Sequence, residues 1–145
     1  MKFPPPFLFV LGFVAGLALE RWFFRSSLGG RRPVAGWALV LAALAFGFWG
    51  IVTFWRARTA VLPHRPARRL VRSGPYRFSR NPMYTGVTTL YLGLALLFDL
   101  AWPLVLLPLV LVLLWRLVIR HEERYLLRAF GEEYAAYQRD VRRWL

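Results

Sequence analysis

The sequence predicts an all-α integral membrane protein of about four transmembrane helices, with a cytoplasmic Arg-rich loop and an amphipathic C-terminal helical tail. Three observations carry this prediction. Hydrophobic residues make up 58% of the 145, and mean hydropathy is +0.43, high for a soluble domain of this length. The apolar residues fall in long unbroken runs, and a run of about 18 or more reads as a membrane helix. The net charge of +13, from 20 basic and 7 acidic residues, gathers between and after those runs.

The first run spans residues 3–24. Lys2 gives it a weakly positive start, as in a signal peptide. Pro4-Pro5-Pro6 and the lack of a small-residue cleavage site before Glu20-Arg21-Trp22 predict a retained helix instead. The second run spans 34–55. The third, 83–98, is short for a crossing and calls for tilt or shielding by neighbours. The fourth spans 101–119. Between the last two lies only Phe98-Asp99-Leu100, a tight hairpin in which Asp99 reads as a solvated turn residue. Pro103 fits the first turn of the fourth helix, where its missing N–H costs little. Gly12, Gly16, Gly36, Gly47 and Gly50 would let helices pack closely.

The tail is residues 120–145. Phe130, Tyr134, Tyr137, Val141 and Trp144 recur at steps of four, three, four and three. This is an amphipathic stripe, suited to the membrane surface or to folding back over the preceding loop. Gly131 is expected to end one helical piece and Glu132-Glu133 to begin the next.

Charge sets the topology. The loop 56–82 carries Arg56, Arg58, Arg65, Arg68, Arg69, Arg72, Arg77 and Arg80 and no acidic residue, whereas the 98–100 turn carries no basic one. The positive-inside rule places the Arg-rich loop and both termini in the cytoplasm and Asp99 outside. That orientation also puts Arg25, Arg31 and Arg32 of the first loop outside, against the rule. The basic charge is read as facing anionic lipid headgroups rather than nucleic acid.

Several chemistries are excluded. There is no cysteine, so no disulfide, thiolate metal site or Cys nucleophile. His64 and His121 are far apart and nothing near them has ligand spacing, so no metal site is expected. The chain has no G-x-G-x-x-G after a strand, no P-loop and no G-x-S-x-G elbow.

Two polar islands remain. In "GPYRFSRNPMY", residues 74–84, Ser73-Gly74-Pro75 is turn chemistry. Asn81 as N-cap and Pro82 at the first helical position launch the third helix. A helix start does not account for Tyr76, Arg77, Arg80 and Tyr84 arriving with it. A helix N-terminus attracts anions, Arg adds bidentate recognition, and aromatic rings can stack on a base or a sulfonium. The second island begins "RHEER". Glu122 and Glu123 are adjacent, so they point in different directions. One is expected to pair with Arg120 or Arg124, the other to face residues 76–84. An inward carboxylate at the membrane boundary is a functional candidate.

These islands resemble the isoprenylcysteine carboxyl methyltransferase family and its relatives, the membrane phospholipid methyltransferases. The shared text is "TAVLPHRPARRLVRSGPYRFSRNPMYTGVTTLYLGLALL" from Thr59 and "EERYLLRAFGEEYAAYQRDVRRW" from Glu122. The resemblance implies a single membrane methyltransferase domain over 1–145, using S-adenosylmethionine at the cytoplasmic face on a lipophilic acceptor from the bilayer. It implies that Tyr76, Arg77, Arg80, Asn81, Pro82, Tyr84 and Gly86 line the cofactor site with Glu122 and Glu123, and that Leu70, Val71 and Tyr137 contribute. Arg77, Arg80 and Glu123 are the residues expected to act in catalysis. Asn81 stands where eukaryotic members have His, and Asn cannot take a proton near neutral pH. The acceptor class stays open among carboxylate, amine, thiol and phospholipid headgroup. Two other readings are a sterol-reductase-like enzyme using NADPH and a non-enzymatic membrane scaffold or lipid-binding protein.

Overall fold

A computed structural model describes residues 5–23, 27–57 and 70–144. The stretch 58–69 of the predicted loop, with His64, lies outside the described residues, as do Phe3, Phe24 and Arg25. Helix α1 is Pro6–Trp22, α2 is Pro33–Arg56, α3 is Pro82–Phe98 and α4 is Ala101–Leu114. A π-helical stretch, Trp115–Ile119, joins α4 to α5, Arg120–Phe130, without a break. Helix α6 is Glu132–Asp140, and a 3-10 turn, Gly74–Arg77, precedes α3. No strand occurs among the described residues.

Two helices among the described residues are long and apolar enough to cross a membrane: α2, and the 30-residue helix Ala101–Phe130. Helix α3 is apolar but shorter. The third and fourth helices are antiparallel around a left-handed Asp99 with φ of 56°. Asp99 is a turn residue, as expected, but it also ties down the first loop. Its carboxylate accepts from the Ser27 hydroxyl and from Leu28 N–H. Glu20 of α1 performs a similar task, with Oε1 accepting from Ala101 N at 2.9 Å and Trp102 N at 3.0 Å. A remote carboxylate thus satisfies two of the amides that any helix leaves unpaired at its start.

The helices pair as α2 with α3 and α1 with α4. Glycines make both approaches close. A Cβ at Gly16 would lie 2.7 Å from Pro103 N, and one at Gly93 would lie 3.0 Å from Gly36 O. Gly47 is different: a Cβ there would meet nothing within 4 Å. The buried core joins Phe9, Tyr91, Leu107, Val110, Leu114, Val118 and Ile119. Tyr91 crosses it to donate to Pro103 O at 2.9 Å.

The tail departs from the expected continuous stripe. Gly131, with φ of 53°, does separate two helices. Helix α6 then ends at Asp140, and Val141 is extended at φ −123°, ψ 132°. Tyr134 and Tyr137 are buried on the helix, whereas Val141 and Trp144 belong to the irregular segment after it. Backbone pairing explains the break: Arg80 N donates to Arg142 O at 2.9 Å, which draws the chain end away from the helix path.

Candidate cofactor site at the polar end of the bundle

The two polar islands come together. The 3-10 turn and the start of α3 supply Tyr76, Ser79, Arg80, Asn81 and Tyr84. The first turn of α5 supplies Glu122 and Glu123, and the tail closes the group with Tyr134, Tyr137 and Arg143. The π-helical stretch ends at Ile119, and Arg120 and His121 separate it from the two glutamates. A widened turn inserts about one residue into the helix and rotates the residues beyond it by about 100°. It therefore sets which way both carboxylates face.

Both face the N-terminus of α3. Glu122 accepts from the Tyr84 hydroxyl, at 3.0 Å to Oε1 and 3.2 Å to Oε2. Glu123 Oε1 accepts from Arg80 Nη1 at 3.1 Å and Arg143 Nε at 3.0 Å, and its Oε2 from Arg143 Nη2 at 3.0 Å. The expected pairing with Arg120 or Arg124 is therefore corrected. Arg120 lies over the Trp115 ring, 5.3 Å from its centroid, and Arg124 Nε donates to Arg120 O. Those two arginines project from the exposed face of α5, whereas Arg80 and Arg143 lie on the side where the glutamates point.

Burial makes these contacts consequential. The Arg80 and Glu123 side chains are only 10% and 13% exposed. Arg80 Nε is buried with no hydrogen-bond partner among the described residues. Two guanidinium groups share one carboxylate, so this part of the site keeps a net positive charge. Glu122 has the opposite character. It lies beyond Ile119, where the apolar run ends. Its carboxyl is held above the usual carboxylate range, first by burial and also by the neighbouring Glu123 charge, against the Tyr84 hydrogen bond that lowers it. A cationic pole and an anionic pole thus sit side by side.

The tyrosines frame the group. Tyr137 donates to Tyr76 O at 2.6 Å, and its ring lies 5.5 Å under the Arg72 guanidinium. Burial pushes the Tyr76 and Tyr137 phenols well above their ordinary value, so both stay protonated. Tyr134 is also raised, by burial and then Glu123, with Arg80 opposing.

Not every expected residue meets the two glutamates. Asn81 occupies the N-cap position, but its side chain caps nothing. Its Nδ2 donates instead to Arg143 O at 3.0 Å, because the returning tail presents that carbonyl. Pro82 is buried at the first helical position, as expected. Gly86 faces α2, where a Cβ would lie 3.6 Å from Ala43 O; it is a packing glycine. Arg77 is exposed at the end of the 3-10 turn. Val71 is buried and Leu70 half-buried in the segment leading to that turn. Arg143, Tyr134 and Ser79 are site residues that the sequence does not single out. The helical spacing of Tyr134 with Tyr137 is a usable signal. Arg143 has none, since its partner is 20 residues away across a helix break.

Among the described residues no group of His, Cys, Asp or Glu has the arrangement of a metal site. No curated protein and no solved structure matches the chain. A family model described as phospholipid methyltransferase matches residues 32–133, a range that takes in α2, α3, α4 and both glutamates. The chain belongs to the phospholipid methyltransferase family.

Proposed function

We propose that this membrane methyltransferase uses S-adenosylmethionine, held between α3 and α5 at the cytoplasmic end of four membrane helices, and methylates a lipophilic acceptor. The observation that carries the reading is the pairing of opposite poles in one largely shielded cluster. Among the described residues, Arg80 offers a buried donor with no acceptor, and Glu122 offers a carboxylate with one phenol as its hydrogen-bond donor. An amino-acid moiety with a carboxylate and an ammonium fits such a pair. In this reading Arg80 takes the carboxylate and Glu122 the ammonium. Glu123 holds Arg80 in place, and Tyr76 and Tyr84 wall the site.

When bound, S-adenosylmethionine supplies a methyl group already activated on a sulfonium. The protein's own task is then positioning in a dry pocket, which contributes about 7–11 kcal/mol in favourable cases. No general base is assigned to Asn81. Charge placement supports the topology, with the Arg-rich loop and both termini cytoplasmic and the basic face against anionic lipid. The acceptor carries a carboxylate, amine or thiol, and the family's description makes a phospholipid headgroup amine the first to try.

Calorimetric titration of the detergent-purified protein with S-adenosylhomocysteine, with NADPH as control, tests this. Saturable binding of the first, lost in Arg80→Ala and Glu122→Ala, is expected. Binding of NADPH alone would make the chain a reductase. Binding of neither would leave the cluster as a structural fastening in a scaffold protein.

A further inference from the structure

Arg143 stands beyond the family match, which ends at residue 133, yet it completes the cluster. Its Nε and Nη2 donate to both oxygens of Glu123 at 3.0 Å each, a two-pronged grip. Its carbonyl accepts from Asn81 Nδ2 at 3.0 Å and Ser79 Oγ at 3.4 Å, so the backbone is fixed as well. Arg80 reaches the same carboxylate through Nη1 alone, at 3.1 Å, and its Nε has no acceptor among the described residues.

The natural geometry of an arginine facing one carboxylate is the paired fork, which engages both oxygens. Arg143 occupies that fork on Glu123, and Arg80 is left with a single bond to that carboxylate. Arg143 is 37% exposed and partly solvated, whereas Arg80 is only 10% exposed, so the donor left without an acceptor is the one that water reaches least. We propose that Arg143 is a positioning residue for the cofactor site: by gripping both oxygens of Glu123 it keeps Arg80 Nε as a donor for the carboxylate of the ligand. This rests on the cofactor reading above.

Without Arg143, Glu123 is free to leave Nη1 for the side-on Nε–Nη2 edge of Arg80, the same fork that Arg143 offers it, and close the donor off. The test is calorimetry on the full chain in detergent with two ligands, S-adenosylhomocysteine and its decarboxylated analogue. Arg143→Ala should weaken the first roughly tenfold or more, the scale of one charge-assisted hydrogen bond, and leave the second unchanged. Arg143→Lys keeps the charge without the fork and should show the same selectivity in a protein whose ion pair is intact. Adding Glu123→Gln to Arg143→Ala should restore much of the lost affinity, because Gln competes poorly for Arg80. Equal loss for both ligands, or no loss, would overturn the inference while leaving the cofactor reading in place. A wild-type protein that binds neither ligand would overturn both.

Discussion

Glu122 and Glu123 are neighbours in the chain and opposites in their surroundings. Glu123 accepts three hydrogen bonds from Arg80 and Arg143, whereas Glu122 accepts from one hydroxyl, that of Tyr84. The first is a neutralised anchor. The second is a half-buried carboxylate with no cation paired to it among the described residues, and its proton is held above the usual carboxylate range first by desolvation. A folded protein keeps such a group only at a cost, which a cationic ligand removes.

Glu122→Gln should therefore stabilise the ligand-free protein while weakening S-adenosylhomocysteine. The sign comes from linkage. A raised folded-state value means that protonation contributes stability fully present below the usual carboxylate range and lost as pH rises through the raised value. Melting temperatures in detergent should show the variant above wild type at neutral pH. That gap should close as pH falls toward about 4. Affinity should drop roughly tenfold or more at neutral pH. A variant that melts lower at neutral pH would mean that the ionised carboxylate is already compensated.

The Tyr137 hydroxyl fastens the tail to the 3-10 turn through Tyr76 O at 2.6 Å. Tyr137→Phe leaves that buried carbonyl without its shortest partner, a loss of about 1–3 kcal/mol. Hydrogen exchange should speed up at residues 76–80, with a lower melting temperature. Tyr137 is expected from the family resemblance to contribute to the cofactor site. Unaltered exchange would return it to that role.

Much of this arrangement is visible in the residues, and the reasons it stops being visible are local. Apolar runs and Pro82, Gly131 and Asp99 mark the helices and their ends, because those signals act within a few residues. Helix α3 and the pair Glu122-Glu123 are foreseen to meet. The direction of each carboxylate is not, since the π-helical stretch Trp115–Ile119 rotates α5 and nothing in "WRLVI" announces it. Arg143 is hidden for a different reason. It sits at the end of an amphipathic pattern whose spacing predicts continued helix, and backbone pairing of Arg80 with Arg142 overrides that spacing.

Glycine contacts separate two substitutions that composition treats alike. A Cβ at Gly16 would lie 2.7 Å from the backbone nitrogen of Pro103, which cannot yield without moving α1 from α4. Gly16→Ala should cost about 1–3 kcal/mol by overpacking. Gly47→Ala meets open space and should be neutral, or stabilising by up to about 1 kcal/mol through helix propensity. Thermal melts of the two variants in one detergent check the contrast, and equal effects would contradict the packing described for α1 and α4.

Glu20 gives the last test, at the end of the bundle away from the Arg80–Glu123 cluster. Its Oε1 takes the N–H groups of both Ala101 and Trp102, which lie at the positive end of the helix carrying Glu122 and Glu123. Glu20→Ala removes acceptor and charge together and should cost about 1–2 kcal/mol, the range for losing a cap. Glu20→Gln keeps an acceptor oxygen and loses only the attraction to the helix dipole, so about 0.3–1 kcal/mol is expected. The order alanine, glutamine, wild type in melting temperature distinguishes capping from a simple surface charge, for which the two variants would melt together. Affinity for S-adenosylhomocysteine should be unchanged in both, because neither touches α3 or α5. A loss of affinity in Glu20→Gln at unchanged stability would mean instead that the start of α4 is coupled to the glutamates through the long helix.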